Sequence, residues 1–308
     1  MLVTERLDGE RPMRTASTRG GYSPVEIAGD GSVVVQLEAD HPGFADPAYR
    51  ERRNAIAQLS VEHRPEDPIP VVAYTDQEHE VWRIVSGELA PKHQLHACSA
   101  FLDSKDSLGL PADHVPQLSD VTALLQPISG FGYQPVAGLA PLREFYSSFG
   151  RRTFYSTQYL RHPSLPQYTP EPDVIHEVIG HANQLADPGF AEICFEVGGA
   201  VDRTTSQEAL GFLSRVFWFT MEFGVVMEDG VPKAYGAGIL SSTGELDVFQ
   251  KATIRPLDIR EMGSVEYDIT RYQPVLYAVD SMKELYERLL GFFSTYDDQA
   301  FEAHAHAS

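Results

Sequence analysis

The sequence predicts a mainly α protein with minor β, built as one domain over residues 36–294. Three observations carry that expectation. Apolar residues recur at helical spacing in several long stretches, cap residues and prolines stand at their starts, and β-favouring runs are few and short. Residues 1–35 are polar and aperiodic apart from Ser-Val-Val-Val-Gln-Leu at 32–37, and read as a flexible arm with one short strand. A helix is expected over 46–63, with Ala55, Ile56 and Leu59 on its apolar side. After a Pro-rich connector at 64–70, a second begins near Thr75, where Val81, Trp82, Val85 and Leu89 form one stripe. A third spans 119–125, ahead of Gly130-Phe131-Gly132, and 135–139 reads as an irregular loop.

Further on, Thr169, Pro170, Glu171 and Asp173 read as N-cap, first-position proline and first-turn acids of a helix reaching His181. Helices over 186–199 and 204–223 follow, the latter burying Leu210, Leu213 and Phe217. The small, Gly-rich stretch 234–242 suits close backbone approach beneath a site. Short strands are expected near 246–250 and 267–272, then a closing amphipathic helix over 280–293 through Leu285, Leu289 and Phe292. Residues 295–308 read as a flexible tail.

Composition narrows the classes. An apolar fraction of 43% is ample for a large core. A net charge of −20 argues against nucleic acid or an anionic membrane as partner. Two cysteines, Cys98 and Cys194, suggest a reducing compartment rather than a disulfide scaffold. With no signal-peptide pattern and no apolar run of membrane length, a soluble cytoplasmic protein is expected.

The chemistry concentrates in Val-Ile-His-Glu-Val-Ile-Gly-His at 174–181. His176 and His181 lie five residues apart, about 140° around an α-helix at roughly 100° per residue. A zinc-protease helix spaces its histidines four apart, and here that fourth position is Gly180, which ligates nothing. Two histidines five apart can converge on one ion if a third ligand closes the face. Glu222 is the candidate, because it sits in an apolar aromatic run where a bare carboxylate is costly. Two imidazoles and one carboxylate with open positions form the ligand set of non-haem iron(II) oxygenases.

Thr-Pro-Glu-Pro-Asp-Val-Ile-His-Glu-Val-Ile-Gly-His at 169–181, Trp-Phe-Thr-Met-Glu-Phe-Gly at 218–224 and Ala-Tyr-Gly-Ala-Gly-Ile-Leu-Ser-Ser at 234–242 resemble the pterin-dependent aromatic amino acid hydroxylases. Pro-Val-Ala-Gly-Leu, Ser-Thr-Gln-Tyr-Leu-Arg-His and Tyr-Gln-Pro-Val-Leu-Tyr extend the match to roughly residues 40–294. The resemblance implies a single catalytic domain using iron(II), a tetrahydropterin and dioxygen. It implies a pterin site at Gly138, Leu139, Phe145, Tyr155, Glu177 and Phe217, with Glu177 facing the pterin and its water. Arg161 would bind the substrate carboxylate, oriented by Asp173 with Thr169 nearby, as a guanidinium fork suits. Ser241 would support a ligand histidine, and Pro170, Trp218, Phe223 and Ile269 would line the side-chain pocket. Trp218 stands where tryptophan hydroxylases have Phe, and Ile269 where tyrosine hydroxylases have Asp. The pattern therefore looks like a phenylalanine-specific member, with para hydroxylation expected and meta attack or L-tryptophan as alternatives.

Departures from the family pattern are Ala182-Asn183 after the second histidine, Phe217 for a frequent Tyr, and Tyr155 for a frequent His. Val226 and Ser241 are positions near the pocket where changes could redirect hydroxylation. Unlike animal relatives, the chain shows no regulatory domain and no heptad helix, so a monomer is expected. The rival readings are a zinc hydrolase and an amino-acid-binding protein without turnover.

Overall fold

The computed structural model describes residues 24–268 and 271–306. A short antiparallel hairpin, β1 (Val25–Ile27) and β2 (Val33–Val35), precedes helix α1 (Pro47–Glu62). The Asp46 carboxylate accepts from Ala48 and Tyr49 N–H to cap α1, and Pro47 opens it. Arg53, Ile56 and Ala57 form its buried face, so Ala57 rather than the expected Ala55 turns inward. Helix α2 (Asp76–His96) starts in a reciprocal capping box between Thr75 and Glu78. It buries Val81, Trp82, Val85 and Leu89, the four stripe residues, each worth roughly 1.5–3 kcal/mol of burial.

Helices α3 (Ser99–Leu108) and α4 (Leu118–Ser129) both stop at left-handed glycines, Gly109 and Gly130. Strand β3 (Gly132–Pro135) then pairs in parallel with β4 (Thr153–Ser156) across helix α5 (Leu142–Phe149). A π-helical segment, His176–Ala182, continues into the short helix α6 (Asn183–Leu185). Helices α7 (Pro188–Arg203) and α8 (Gln207–Phe217) follow, and α8 passes into a second π segment, Trp218–Glu222. A four-stranded sheet runs β6 (Val231–Ala234), β5 (Val225–Glu228), β8 (Val275–Val279), β7 (Thr253–Pro256). Helices α9 (Ala237–Leu240), α10 (Thr243–Val248) and α11 (Ile259–Ser264) lie between its strands in sequence. Helices α12 (Met282–Thr295) and α13 (Asp298–His306) close the chain.

Five expectations are corrected. The helix expected to start at Thr169 starts at Val174, because Asp173 is the cap: its carboxylate accepts from His176 N–H at 3.2 Å, and its carbonyl from Glu177 N–H at 3.0 Å. A proline disfavours helical backbone in the residue before it, so Pro170 and Pro172 keep Thr169 and Glu171 out of the helix. Residues 246–250 are helical rather than a strand. Ser242 Oγ accepts from Glu245 N–H at 3.2 Å and starts α10, a Ser-x-x-Glu signature visible in the sequence. Of the strand expected at 267–272, residues 267, 268, 271 and 272 are not in a strand and 269–270 lie outside the described residues. The strand that follows is Val275–Val279, an almost wholly buried run between two parallel neighbours, where period-two alternation has no reason to appear. The tail carries α13, whose Phe301 and His304 rings pack on Phe212 at 5.8 and 5.7 Å. The arm contributes two strands rather than one within 24–35, and residues 1–23 lie outside the described residues.

Helices α5 and α7 meet at glycine. A Cβ on Gly198 would sit 2.0 Å from Gly150 N and 2.6 Å from Gly150 Cα, both rigid backbone atoms. Gly198→Ala is therefore expected to cost at least the roughly 1–3 kcal/mol of ordinary overpacking. Urea unfolding would record this as a lower midpoint at unchanged m-value.

Candidate metal centre and active site

The π geometry resolves the five-residue spacing. Hydrogen bonding to the fifth residue widens each turn, so residues five apart come much closer in angle than the roughly 140° of an α-helix. His176 and His181 thus face the same way, with Nε2 atoms 3.1 Å apart and rings perpendicular. The second π segment delivers Glu222 opposite, its Oε1 3.0 Å from His181 Nε2 and its Oε2 3.6 Å from His176 Nε2. Metal–ligand bonds of roughly 2.1 Å at right angles separate neighbouring donor atoms by about 3 Å, so the three groups fit one face of a single ion. Among the described residues they are the one group of His, Cys, Asp or Glu side chains so arranged.

Close backbone approach shapes this face. A Cβ on Gly180 would meet Ala237 O at 2.9 Å, and one on Gly236 would meet Glu222 O at 2.4 Å. Only glycine lets α9 lie against both π segments, as the small residues of 234–242 lead one to expect. Ser241, at the end of α9, places Oγ 2.9 Å from His176 Nδ1. That contact commits Nδ1 and leaves Nε2 facing the site. Burial, aided by the second imidazole, lowers the His176 pKa to about 4, so its ring is neutral and able to ligate at pH 7. Burial alone would raise the Glu222 carboxyl, but the two imidazoles outweigh it and hold the group below its ordinary value. Glu177 has no such partner among the described residues. Burial, then the Glu222 and Asp173 carboxylates, push it well above the usual carboxylate range.

The three donors open into a cavity of about 750 Å³, within the size range of small-molecule sites. Its walls include Gly138, Leu139, Phe145, Tyr155, Thr169, Pro170, Glu177, Phe217, Trp218, Phe223, Ser241 and Arg161. Phe145 is half-buried, edge-on to Phe149 and Phe154, and Phe154 in turn lies 4.8 Å from the His181 ring. Trp218 stacks on Tyr267 at 4.3 Å, and its Nε1 donates to Gln273 Oε1 at 3.4 Å. Asp173 stands behind the wall, Ile269 lies outside the described residues, and Val226 is buried in β5 away from the cavity.

Arg161 is held by its base. Nε and Nη2 donate to Asp173 at 2.9 and 2.8 Å, and Nη1 donates to Pro166 O at 3.3 Å. Of the five guanidinium N–H bonds, two have no partner among the described residues, one on each Nη, and such a pair can grip a carboxylate end-on. Asp173 is fully buried. Burial pushes its carboxyl up, yet Arg161 outweighs that and the net position is below the ordinary value.

Sequence reasoning missed a second pin on the loop between these residues. Arg53 of α1 donates to Glu171 at 2.8 Å while its guanidinium lies 3.3 Å over the Tyr159 ring. Partners 118 residues apart leave no local signal. Glu245 and Tyr267 also line the cavity unanticipated. With Ala182-Asn183 after the second histidine the chain stays helical, and Asn183 Nδ2 donates to Ile179 O at 2.8 Å.

Comparison with known proteins agrees with this architecture. Residues 32–306 match the family model for biopterin-dependent aromatic amino acid hydroxylase. The chain is 49% identical over 267 residues to the phenylalanine 3-hydroxylase of Streptomyces coeruleorubidus, covering 87% of this chain and 96% of that one. It is 40% identical over 274 residues to the phenylalanine-4-hydroxylase of Rattus norvegicus, covering 86% of this chain but 59% of the longer rat protein. The phenylalanine hydroxylase of Chromobacterium violaceum, solved with bound iron(III) and 7,8-dihydrobiopterin, superposes with a TM-score of 0.71 at 27% identity, covering 80% and 92% of the two chains. A glycine-packed pair of π segments, a facing two-histidine, one-carboxylate set and a family match spanning nearly all of the described residues lead to one conclusion: this chain belongs to the biopterin-dependent aromatic amino acid hydroxylases.

Proposed function

We propose that this protein hydroxylates the aromatic ring of L-phenylalanine, with iron(II) held by His176, His181 and Glu222 and with dioxygen and a tetrahydropterin as co-substrates. The observation that carries this reading is the convergence of those three donors on a cavity whose wall also holds Arg161, with two N–H groups to spare. When bound, the metal and the pterin supply the redox chemistry by which one oxygen atom enters the ring.

The chain's own residues position the reactants. Arg161 takes the substrate carboxylate, and Asp173 keeps the guanidinium from turning. Pro170, Trp218 and Phe223 flank the aromatic side chain, with Ile269 assigned beside them, and Thr169 near Arg161, from the sequence. Gly138, Leu139, Phe145, Tyr155 and Phe217 form the pterin wall, and Glu177, whose buried carboxyl is pushed above the usual carboxylate range, faces the same side.

Trp218 and Ile269 bear on which amino acid enters, not on which carbon faces the metal. For the carbon, the relative named phenylalanine 3-hydroxylase, 49% identical over 96% of its length, supports meta attack over the para attack expected from the sequence. We therefore take meta-tyrosine as the product. The test is anaerobic loading with iron(II), then air, L-phenylalanine and a tetrahydropterin, with products resolved by chromatography. Meta-tyrosine supports the full reading, and para-tyrosine keeps the reaction but moves the carbon. Unchanged phenylalanine with iron bound rejects the reaction.

Ser241→Ala removes the hydrogen bond to His176 Nδ1 and frees the ring to rotate. Iron affinity is expected to fall by about 10–100-fold, the usual effect of losing such a partner. Competition against a chelator measures it.

A further inference from the structure

Glu245 of α10 is 4% exposed, yet it lines the same cavity as Arg161, Ser241 and Trp218. Its backbone is fixed one helical turn beyond Ser241 by the Ser242 cap. Its carboxylate accepts one described hydrogen bond, a long one of 3.3 Å from Gln273 N–H to Oε1. An ionised carboxylate offers about four acceptor sites, and a buried one so thinly supported is costly. Burial accordingly raises Glu245 to about 7, only partly offset by the Gln273 N–H. The cations near it are committed elsewhere. Lys92, on the packed helix α2, binds Asp247 at 2.6 Å and Thr243 O at 2.9 Å, Arg161 is paired with Asp173, and Arg271, on the same cavity wall, is exposed and pairs with Asp268 at 3.5 Å.

The cavity thus holds a guanidinium with two spare donors and a buried carboxylate lacking a counter-cation among the described residues. A free amino acid carries the complement of both, a carboxylate and an ammonium on one carbon. We propose that Glu245 receives the α-ammonium group of the amino acid substrate, as the counterpart of Arg161 at its carboxylate. The inference rests on the reading of this chain as a hydroxylase of a free aromatic amino acid, and it names the group that selects for the amine. An ammonium against Glu245 keeps the carboxylate ionised and supplies the hydrogen bonds that the protein does not.

The experiment compares L-phenylalanine with 3-phenylpropanoate, which keeps the ring and carboxylate and lacks the amine. Iron-loaded wild type and Glu245→Gln are assayed for KM and kcat with L-phenylalanine, and for inhibition by 3-phenylpropanoate. Glutamine is nearly isosteric and still accepts from Gln273 N–H. The proposal expects KM for L-phenylalanine to rise about tenfold or more with kcat within about twofold, a loss of uniform binding, and inhibition by 3-phenylpropanoate to stay within about twofold. Equal weakening of both ligands assigns Glu245 to holding α10 and overturns the proposal, as does an unchanged KM. Should Glu245→Gln fail to fold, wild type still decides: tighter binding of L-phenylalanine than of 3-phenylpropanoate by about tenfold supports the proposal, and equal binding overturns it. If wild type neither binds nor converts L-phenylalanine, the substrate reading itself falls before any variant is made, and this proposal falls with it.

Discussion

His176→Ala is expected to abolish hydroxylation and to strip the protein of iron while leaving the fold intact. The ring lines the cavity and is only partly buried, so its removal enlarges that cavity rather than leaving a void sealed in the core. His181 and Glu222 then offer only two donors, and the open face is no longer closed on three sides. Losing a hydrogen bond behind a ligand costs about 10–100-fold, so losing the ligand itself should cost on the order of a thousandfold or more in product formed per minute. Bound iron, measured by emission spectroscopy after gel filtration, should drop from one equivalent to a small fraction. Far-ultraviolet circular dichroism should not change. Retained iron at full stoichiometry would place the metal elsewhere.

Asp173→Ala combines the largest expected loss of stability with a loss of substrate affinity. Two fully buried carboxylate oxygens serve four donors: Arg161 N, Nε and Nη2 at 2.8, 2.9 and 2.8 Å, and His176 N at 3.2 Å. Truncation leaves a buried guanidinium without its counter-charge and the ligand helix without its cap. Breaking a buried pair by removing one partner costs roughly 3–5 kcal/mol, a large share of the roughly 5–15 kcal/mol that holds a domain together. Denaturant unfolding should show that loss, and the fraction that remains folded should bind L-phenylalanine more weakly, because Arg161 is free to swing. A variant as stable as wild type would mean that Arg161 finds another partner.

How much of this was legible in the sequence differs from residue to residue. The three metal-facing residues stood out because His, Glu and His fall within six positions and a carboxylate sits in an aromatic run, both chemically expensive without a purpose. Their mutual geometry did not. On an α-helix the two histidines diverge, and what aligns them is a π register in a helix pressed against α9 at Gly180, a contact between segments 57 residues apart in Gly180 and Ala237. The Arg161–Asp173 pair lies within one loop and was expected, whereas Arg53–Glu171, which pins the same loop from α1, joins residues too distant for pattern to connect. The stripe of α2 was read correctly because one face of a long helix repeats visibly. Strand β8 was misplaced because a strand buried on both faces has no repeat to read. Helix α10 was missed although its Ser-x-x-Glu start was there to see, and with it went the position of Glu245.

The proposed reaction requires a single iron at the meeting point of the two π segments. Crystals of the protein loaded with iron(II) without oxygen, with diffraction collected on both sides of the iron absorption edge, test it most directly. The expected result is one anomalous peak within bonding distance of His176 Nε2, His181 Nε2 and a Glu222 oxygen, with no protein atom on its remaining sides. A peak bound elsewhere, or iron absent at equimolar loading, would contradict it.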